Sequence, residues 1–448
     1  MSLCLSSIRR ILALLVGLGM VCALTACGGG TDISPLDAPQ IHPTVEPMGT
    51  TAQGVTGTTI LVGNTVATTG VYASVGVPFQ AGLTAALEWY NRQGGFRGKR
   101  VELVHHDDGF DARQGMACTR MLVEEDRVFA LVGHFGTYTI SATLDYLKDV
   151  GIPVMYAATS LSALYQEEAI GKNGAIFPVF PIYDAEGRVL LARALAPAQG
   201  GYGLGGTKVG VIASTDAVGE GILAGIRRQA REKEIPILYQ AVDTDYGDAV
   251  SALQKHGCDV VIAAMSPARL MACLYAMEEI GYQAKVLTSH VADLDTLGPL
   301  ADLGIITEER PVYVTAWTDV HTESGLRDMQ EFVEIQRTWE EQQGIAPSQT
   351  FTGDSYAMAG YMAARLFLHG LEQVEAQNLE LTWENYRAAV ESKPYHIPTG
   401  GDIDYANGQR MGVTAFSLNT IARNPSGIYE IKTVSPILDL DEIWERVS

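Results

Sequence analysis

The amino-acid sequence predicts an α/β protein built from two doubly wound, parallel-sheet lobes. Two observations carry this prediction. From Thr58 onward, short apolar runs rich in β-branched residues alternate with segments of helical spacing. The whole alternation then starts again after Tyr183. Continuous apolar strands separated by helices are typical of parallel sheets covered on both faces, and 448 residues suffice for two such lobes.

The two arrays place the elements in order along the chain. In the first array, predicted strands occupy residues 60–64, 101–105, 128–133 and 152–156, with helices at 78–93, 109–125 and 139–150. In the second array, strands occupy 208–213, 237–242, 260–264, 285–288 and 311–317, with helices at 186–195, 220–233, 248–256, 268–280, 325–343, 355–371 and 383–390. Ligands of open α/β sheets lie beyond the carboxyl ends of the strands. The residues that follow strands are therefore the candidates for a site.

The first 57 residues are predicted to lie outside the fold. Arg9 and Arg10 precede the apolar run 11–24, which is shorter than the roughly 20 residues of a membrane span and has the layout of a secretory signal. The run ends Leu24-Thr25-Ala26-Cys27, which matches a bacterial lipobox. We expect a signal peptide over 1–26, a lipid on Cys27 and a flexible tether over 27–57. The protein would then be anchored to a membrane of the cell envelope, on the periplasmic or extracellular face.

The charge of the chain argues against two classes of partner. Its 31 Lys and Arg residues face 52 Asp and Glu residues, for a formal net charge of −21. Such a surplus of carboxylates repels phosphate backbones and anionic lipid. We therefore expect no nucleic acid partner, and no membrane attachment other than the lipid anchor.

The cysteines do not indicate a cofactor. Of six in the chain, three remain beyond Cys27, and none of these has a metal-binding spacing. We expect Cys118, Cys258 and Cys273 to be buried thiols. The only local disulfide candidate among them is Cys258–Cys273. No metal or other cofactor is predicted.

Small and hydroxylic residues follow two neighbouring predicted strands. Residues 133–139 lead from the third strand into a helix, and residues 157–160, Ala-Ala-Thr-Ser, follow the fourth. Hydroxyls and backbone N–H groups at a helix N-terminus can cradle an anion or a carboxylate. The alternative is that Thr137 or Thr139 simply caps the helix. Two such cradles on adjacent strands favour a ligand pocket, with candidate contacts Thr137, Tyr138, Thr159 and Ser160.

Several stretches between residues 58 and 418 share the pattern of one known family. The most specific are the turn Gly94-Gly95-Phe96-Arg97-Gly98-Lys99 and the pair Asp107-Asp108, both of which belong to the scaffold. Further matches lie at 63–76, 79–82, 133–137, 151–153, 177–186 and 360–364. In these stretches the chain resembles the type I periplasmic binding proteins, in particular those that serve branched-chain amino acid, amide and urea ABC importers.

The resemblance implies two lobes joined by three crossover segments, with a ligand cleft between them. The crossovers would lie near residues 182–183, 309–312 and 395–401. The first lobe would comprise 58–181 plus 313–395, and the second 182–312 plus 396–448. At the cleft, Thr137 would offer a hydroxyl to the ligand carboxylate, and Ser160 or Thr159 would bind the carboxylate and amino group. Tyr183 would lie at the cleft edge.

One position departs from the family pattern. Where amino-acid binders place an acid against the ligand ammonium, this chain has Ser289-His290-Val291. An imidazole cannot replace a carboxylate as the counter-ion of an ammonium. Plain α-amino acids are therefore doubtful ligands, and amides, ureas, carboxylates or aromatic acids become comparable candidates. Two alternatives stay open: Asp293 could supply the acid from one turn away, or His290 could be a purely structural hydrogen bonder.

Two further residues at predicted strand ends each have two interpretations. Asp216 is either a ligand contact or the N-cap of the following helix. Trp317 either stacks on a planar ligand or packs at the hinge between the lobes.

The sequence does not predict catalysis. It contains no G-x-S-x-G elbow, P-loop or H-E-x-x-H motif. His105 and His106 are adjacent on a strand and point to opposite faces, so one metal ion could not easily bind both. We expect a monomeric binding protein that captures a small polar organic ligand (amino acid, amide, urea or carboxylate) by lobe closure and delivers it to an ABC permease. The alternatives are a lipoprotein that senses the ligand and signals to a partner, and a structural lipoprotein with a degenerate cleft.

Overall fold

A computed structural model of the protein describes residues 53–242, 246–292, 294–319, 322–423 and 429–447. Sheets of five and seven strands, with helices packed against them, organise this part of the chain. The predicted α/β class with two sheet lobes is confirmed. Residues 1–52, which include the predicted signal peptide and Cys27, lie outside the described residues. In the described part, no helix combines the length and the apolar character needed to cross a membrane.

The first sheet is parallel throughout, in the order β2-β1-β3-β4-β5. Helices connect most of its strands, so that the carboxyl ends of all five strands meet at one edge. The elements, in chain order, are β1 (Thr59–Thr65), α1 (Ala73–Arg92), β2 (Arg100–His106), α2 (Ala112–Arg120), β3 (Ala130–Val132), α3 (Thr137–Val150), β4 (Val154–Met155) and β5 (Ile176–Phe177).

The second sheet has the order β14-β13-β10-β9-β8-β6-β7. Strands β6 to β10 are parallel to one another. The last two strands are antiparallel: β13 pairs with β10, and β14 pairs with β13. The first part of this lobe comprises α4 (Tyr183–Leu195), β6 (Val209–Ala213), α5 (Ala217–Glu232), β7 (Tyr239–Val242), α6 (Tyr246–His256), β8 (Val260–Ala264), α7 (Pro267–Glu279), β9 (Lys285–Thr288), α8 (Leu294–Asp302) and β10 (Val312–Ala316).

The remaining chain returns to the first lobe and then ends on the second. Its elements are α9 (Glu323–Gln343), α10 (Ser355–Ala376), α11 (Trp383–Glu391), β11 (Tyr395–His396), β12 (Asp402–Ile403), β13 (Phe416–Arg423), β14 (Tyr429–Leu438) and α12 (Leu440–Trp444). Buried Arg193 on α4 donates to the carbonyl oxygen of Phe416 at 2.7 Å and to the Ser435 hydroxyl at 2.8 Å. These bonds tie the β13–β14 hairpin to α4.

Helices α1 and α10 cross at glycines in the first-lobe core. A Cβ on Gly82 would lie 1.8 Å from the carbonyl oxygen of Ala357, and one on Gly360 would lie 1.9 Å from that of Phe79. Neither position has room for a side chain, because the two backbones are in direct contact. This contact explains the glycine in each of the stretches 79–82 and 360–364.

Two of the predicted crossovers are displaced in the structure. β10 lies in the second sheet between β9 and β13, so the chain leaves the second lobe after Ala316 and not near 309–312. Ile397 and Val413 are buried in the first-lobe core, whereas Phe416 is buried against α4 of the second. The last crossing therefore falls between Val413 and Phe416, not near 395–401. Assigning 313–316 to the first lobe and 396–413 to the second was wrong, because an apolar run has the same pattern in either sheet.

Candidate ligand-binding cleft

The predicted site residues lie at the carboxyl ends of the two sheets. We call residues 133–137 and 156–160, which follow β3 and β4, the first edge. Residues 289–290 and 317, which follow β9 and β10, are the second edge. Phe180, just after β5, links the two, with its ring centroid 6.3 Å from that of His290 and 5.5 Å from that of Trp317. A ligand that touches both edges would lie between the lobes.

The two predicted cradles form one hydroxyl-lined edge. Phe135 and Ala158 pair through their backbones as if β3 and β4 continued. Beyond that pairing, Thr137 Oγ1 lies 3.1 Å from Thr159 Oγ1. Thr137 is exposed, whereas Thr159 is buried. The structure therefore places hydroxyls from both predicted stretches side by side.

Helix α3 begins at this edge without a side-chain cap. Its N-cap is Gly136 at φ +104°, where a Cβ would lie 2.8 Å from the Phe110 ring, so the position requires glycine. Thr139 donates its hydroxyl to the Asp108 carboxylate at 2.6 Å and not to the helix backbone. The capping alternative for Thr137 and Thr139 is therefore wrong. No side chain of the described residues caps the first turn of α3, and its N–H groups can serve an anionic ligand group.

Tyr138 stands at the rim of the first edge. Its side chain is 59% exposed, and its ring lies edge-on to Phe110 at a centroid distance of 5.3 Å. Phe110 in turn packs on Tyr72, with centroids 4.1 Å apart. The predicted contact Tyr138 thus belongs to an exposed aromatic cluster beside the hydroxyls.

Ser160 and Tyr183 connect the first edge to the second lobe. The Tyr183 N–H donates to the Ser160 carbonyl oxygen at 3.4 Å. Ile182 is buried in the first-lobe core while Tyr183 packs against that of the second, so the first crossing lies at 182–183. Burial, reinforced by the charge of Glu186, raises the pKa of Tyr183 to about 12. Its phenol is therefore neutral at physiological pH.

A fully buried carboxylate lies behind the second edge. Glu186 lies in the first turn of α4. It accepts hydrogen bonds from the Ser289 hydroxyl at 2.6 Å, the backbone N–H of His290 at 2.8 Å and the Thr315 hydroxyl at 2.5 Å. Its Oε2 also lies 3.0 Å from His290 Nδ1. Burial by itself would raise the pKa of Glu186, but the imidazole and the hydroxyl donors outweigh burial and lower it. The positive end of the α4 dipole favours the same ionised state.

His290 is oriented by this carboxylate. Its Nδ1 is turned toward Glu186, and its ring stacks near that of Tyr183 at a centroid distance of 6.3 Å. Among the described residues, Nε2 has no hydrogen-bond partner. One ring nitrogen therefore has a structural role, and the other is available to a ligand. Asp293, the alternative acid, lies outside the described residues.

Trp317 packs where the two lobes meet. Its partly buried ring contacts the cores of both lobes. Together with the contact to Phe180, this packing supports the hinge interpretation. Stacking of Trp317 on a planar ligand stays a prediction.

The other candidates have structural roles. Asp216 caps α5, where it accepts from the Gly219 N–H at 3.0 Å, so the N-cap interpretation is supported. Cys118, Cys258 and Cys273 are buried and form no disulfide, so the candidate pair Cys258–Cys273 is not bonded.

The paired histidines at the end of β2 point to opposite faces, as predicted. His105 Nδ1 lies 3.0 Å from Asn64 Oδ1, and His106 Nε2 lies 2.8 Å from Asp126 Oδ2. Over the described ranges, no group of His, Cys, Asp and Glu side chains is arranged to hold a metal ion.

Glu186 and Phe180 are parts of the cleft that the sequence pattern alone does not identify. Both lie in the stretch 177–186 that carries part of the family resemblance. Acids are common in the first turn of a helix because they interact favourably with the helix dipole. The presence of Glu186 there therefore gives no sign of a second role. Only the packing of α4 against β9 and β10 brings Glu186 under His290.

Comparison with known protein sequences agrees with this architecture. The profile of the periplasmic binding protein family matches residues 59–420. An amino acid binding protein of Pseudomonas aeruginosa is 28% identical over 200 residues, which cover 43% of this chain and 50% of that protein. A Leu/Ile/Val-binding protein homolog 2 of Brucella abortus is 29% identical over 109 residues, covering 24% and 29%. The matches thus span half or less of the length of these relatives.

Solved structures share the fold at low sequence identity. A fatty acid ABC transporter substrate-binding protein from Thermomonospora curvata has a TM-score of 0.61 at 18% identity, over 87% of this chain and 95% of that one. An ABC transporter substrate-binding protein from Sphaerobacter thermophilus has a TM-score of 0.63 at 20% identity, over 85% and 98%. At such identities the likeness concerns the fold alone. Because the family profile spans most of its length, the chain belongs to the periplasmic binding protein family, whose members bind ligands outside the cytoplasm and are not enzymes.

Proposed function

We propose that the protein is a monomeric solute receptor that captures a small polar organic ligand between its lobes. The ligand would be an amino acid, amide, urea or carboxylate with an acceptor-rich end on the first edge. The observation that carries this proposal is the shared cradle, where the hydroxyls of Thr137 and Thr159 lie 3.1 Å apart beside the uncapped start of α3. O–H and N–H donors gathered in this way favour an anionic or carbonyl group.

Binding would draw the two lobes together. A ligand held by the first edge gains further contacts only when Tyr183, His290 and Trp317 approach it, so its binding energy favours the closed form. Small-angle scattering checks this directly. We expect the radius of gyration to fall at saturating ligand, and an unchanged radius would contradict closure.

A thermal-shift screen over amino acids, amides, ureas and carboxylic acids tests ligand capture itself. A compound that binds only the folded state stabilises it in proportion to the logarithm of its concentration. We therefore expect at least one class to raise the melting temperature, with calorimetry to confirm one bound molecule per chain. If no class does so, the cleft is degenerate and the structural-lipoprotein alternative is correct.

We further propose that the captured ligand is delivered to an ABC importer. Support comes from the fold shared with two ABC transporter substrate-binding proteins. Uptake of the identified ligand should fall in cells that lack this chain and recover on complementation. Normal uptake with a lost transcriptional or kinase response to the ligand would favour the sensing alternative.

The attachment to the membrane is proposed from the lipobox at Leu24-Thr25-Ala26-Cys27. Cys27→Ala should move the protein from the membrane fraction to the soluble fraction, because the acyl chains would be its only strong membrane attachment. Retention of a normally processed variant in washed membranes would contradict lipidation.

A further inference from the structure

The second edge presents the His290 imidazole to the cleft and no carboxylate. The nearby carboxylate of Glu186 is held behind the imidazole by hydrogen bonds. Both carboxylate oxygens of Glu186 have hydrogen-bond donors. Oε1 accepts from the backbone N–H of His290 and from the Thr315 hydroxyl. Oε2 accepts from the Ser289 hydroxyl and faces His290 Nδ1. The side chain is 0% exposed. Glu186 can therefore neither reach a ligand nor act as the counter-ion of a ligand ammonium.

The only ionisable group that this network turns outward is the His290 ring. His290 Nδ1 lies 3.0 Å from Glu186 Oε2 and 3.4 Å from the Ser289 hydroxyl, and ring geometry directs Nε2 away from both. A buried carboxylate behind the ring compensates a positive charge on it. A ring protonated on both nitrogens presents Nε2 as an N–H donor toward the cleft.

The neighbours of the ring leave this charge unopposed on the ligand side. Among the described residues, the titratable groups that face the ring are Glu186 and Tyr183, both from α4, and the Tyr183 phenol is neutral. From the other elements, Phe180 and Ser289 contribute an apolar ring and a hydroxyl. The ligand would thus meet O–H and N–H donors at both of its ends, with apolar ring faces between them.

We propose that His290 binds a second anionic group, so that the natural ligand is a small dicarboxylic acid held by one carboxylate on each edge. The inference rests on the proposed function, since it names the ligand class of the same cleft. The first carboxylate would lie on the Thr137–Thr159 hydroxyls, and the second would accept a hydrogen bond from His290 Nε2. Glu186 acts as a positioning residue that orients the ring from behind.

Calorimetry on the wild-type protein tests the ligand class without any variant. The probes are glutarate, adipate, pentanoate and L-leucine, each titrated at pH 6.0. We expect at least one dicarboxylate to bind roughly tenfold to a hundredfold more tightly than pentanoate, the range typical of a charge-assisted hydrogen bond.

Two variants sharpen the assignment. His290→Gln should remove the dicarboxylate advantage, while His256→Gln on the exposed face of α6 should retain it. Glu186→Gln should weaken the binding of the dicarboxylates and leave that of pentanoate unchanged, a split that a merely structural role would not produce. Should either cleft variant fail to fold, the wild-type comparison still decides.

The outcomes separate this inference from the proposed function. Tight binding of L-leucine, with weaker binding of both dicarboxylates, would overturn the dicarboxylate assignment and leave solute capture intact. Equal binding of pentanoate and the dicarboxylates would overturn the role of His290 alone. Absence of binding by all four probes would overturn the assignment, and the broader thermal-shift screen would then decide the proposed function.

Discussion

Two histidines lie just beyond strand ends, one in each lobe, and differ in their partners. His134 lies two residues after β3, and His290 lies two residues after β9. His134 is fully buried, with Nδ1 3.1 Å from the Thr65 hydroxyl and Nε2 3.2 Å from that of Thr143. Burial lowers the pKa of His134 to about 4. His290 instead rests on a carboxylate, with one ring nitrogen left toward the cleft.

The difference shows that an imidazole at a strand end can be given quite different partners in the two lobes. Hydroxyls can hydrogen-bond a neutral ring on both sides, but they cannot compensate a full charge in a buried place, whereas a carboxylate can. The second lobe places a carboxylate beside its imidazole, and the first lobe surrounds its imidazole with hydroxyls.

Removing the buried Glu186 carboxylate should have the largest effect on stability. Glu186→Gln removes the carboxylate from a buried network and should lower the free energy of unfolding by about 3–5 kcal/mol, as expected when one partner of a buried ion pair is lost. Glu220→Gln, an exposed acid in the first turn of α5, is the matched control and should change little. Urea unfolding at pH 7 gives both values. Equal losses in the two variants would contradict the role assigned to Glu186.

The neutral histidine should make the protein sensitive to mild acid. The folded-state pKa of His134, about 4, lies below the ordinary value of about 6.5, so the unfolded chain takes up the proton first as the pH falls. Stability present above pH 6.5 should then be lost toward pH 4, by up to about 3 kcal/mol from this group. Unfolding of wild type and His134→Gln at several pH values measures the slope. The same slope in both would show that His134 is not its source.

Changes in the hydroxyl cradle should affect affinity and leave folding nearly intact. Thr137→Ala and Ser160→Ala each remove a donor to a charged ligand group and should weaken binding by about 1.5–3 kcal/mol, roughly tenfold to a hundredfold. The double variant should depart from additivity, since both residues would hold one head-group. Thr350→Ala, at an exposed position after α9, is the control. Unchanged affinity in both single variants would refute the cradle.

His396, an exposed histidine, should have the smallest effect on stability and serves as a reference for His134 and His290. His396 Nδ1 lies 2.9 Å from Asp402, and Nε2 lies 3.1 Å from Asp328. Partial burial opposes its charge, but the two acids outweigh burial and raise its pKa. The stabilisation is therefore present at low pH and lost as the pH rises through the folded-state pKa. Asp402→Asn should cost less than about 1 kcal/mol at pH 6 and nothing measurable at pH 9. A larger loss would show that solvent screens this pair poorly.

The sequence predicts local features of this protein better than it predicts partnerships between distant segments. Small hydroxylic residues after two adjacent strands indicate the first edge, because neighbouring parallel strands end together. The lobe to which β10 belongs is not predictable in this way, since the run 312–316 would suit either sheet. The same limit applies to Glu186, whose three hydrogen-bond donors lie more than one hundred residues further along the chain.

The three crossings also constrain how such a receptor can change its specificity. Since the chain leaves the second lobe after Ala316 and returns to it only after Val413, neither lobe corresponds to one uninterrupted piece of the gene. Recombination at a single breakpoint would therefore join halves of unrelated lobes. New ligand preferences are accessible instead through point substitutions at the strand ends, where one exchange at residue 290 would change the group that faces the cleft and leave the rest of the architecture in place.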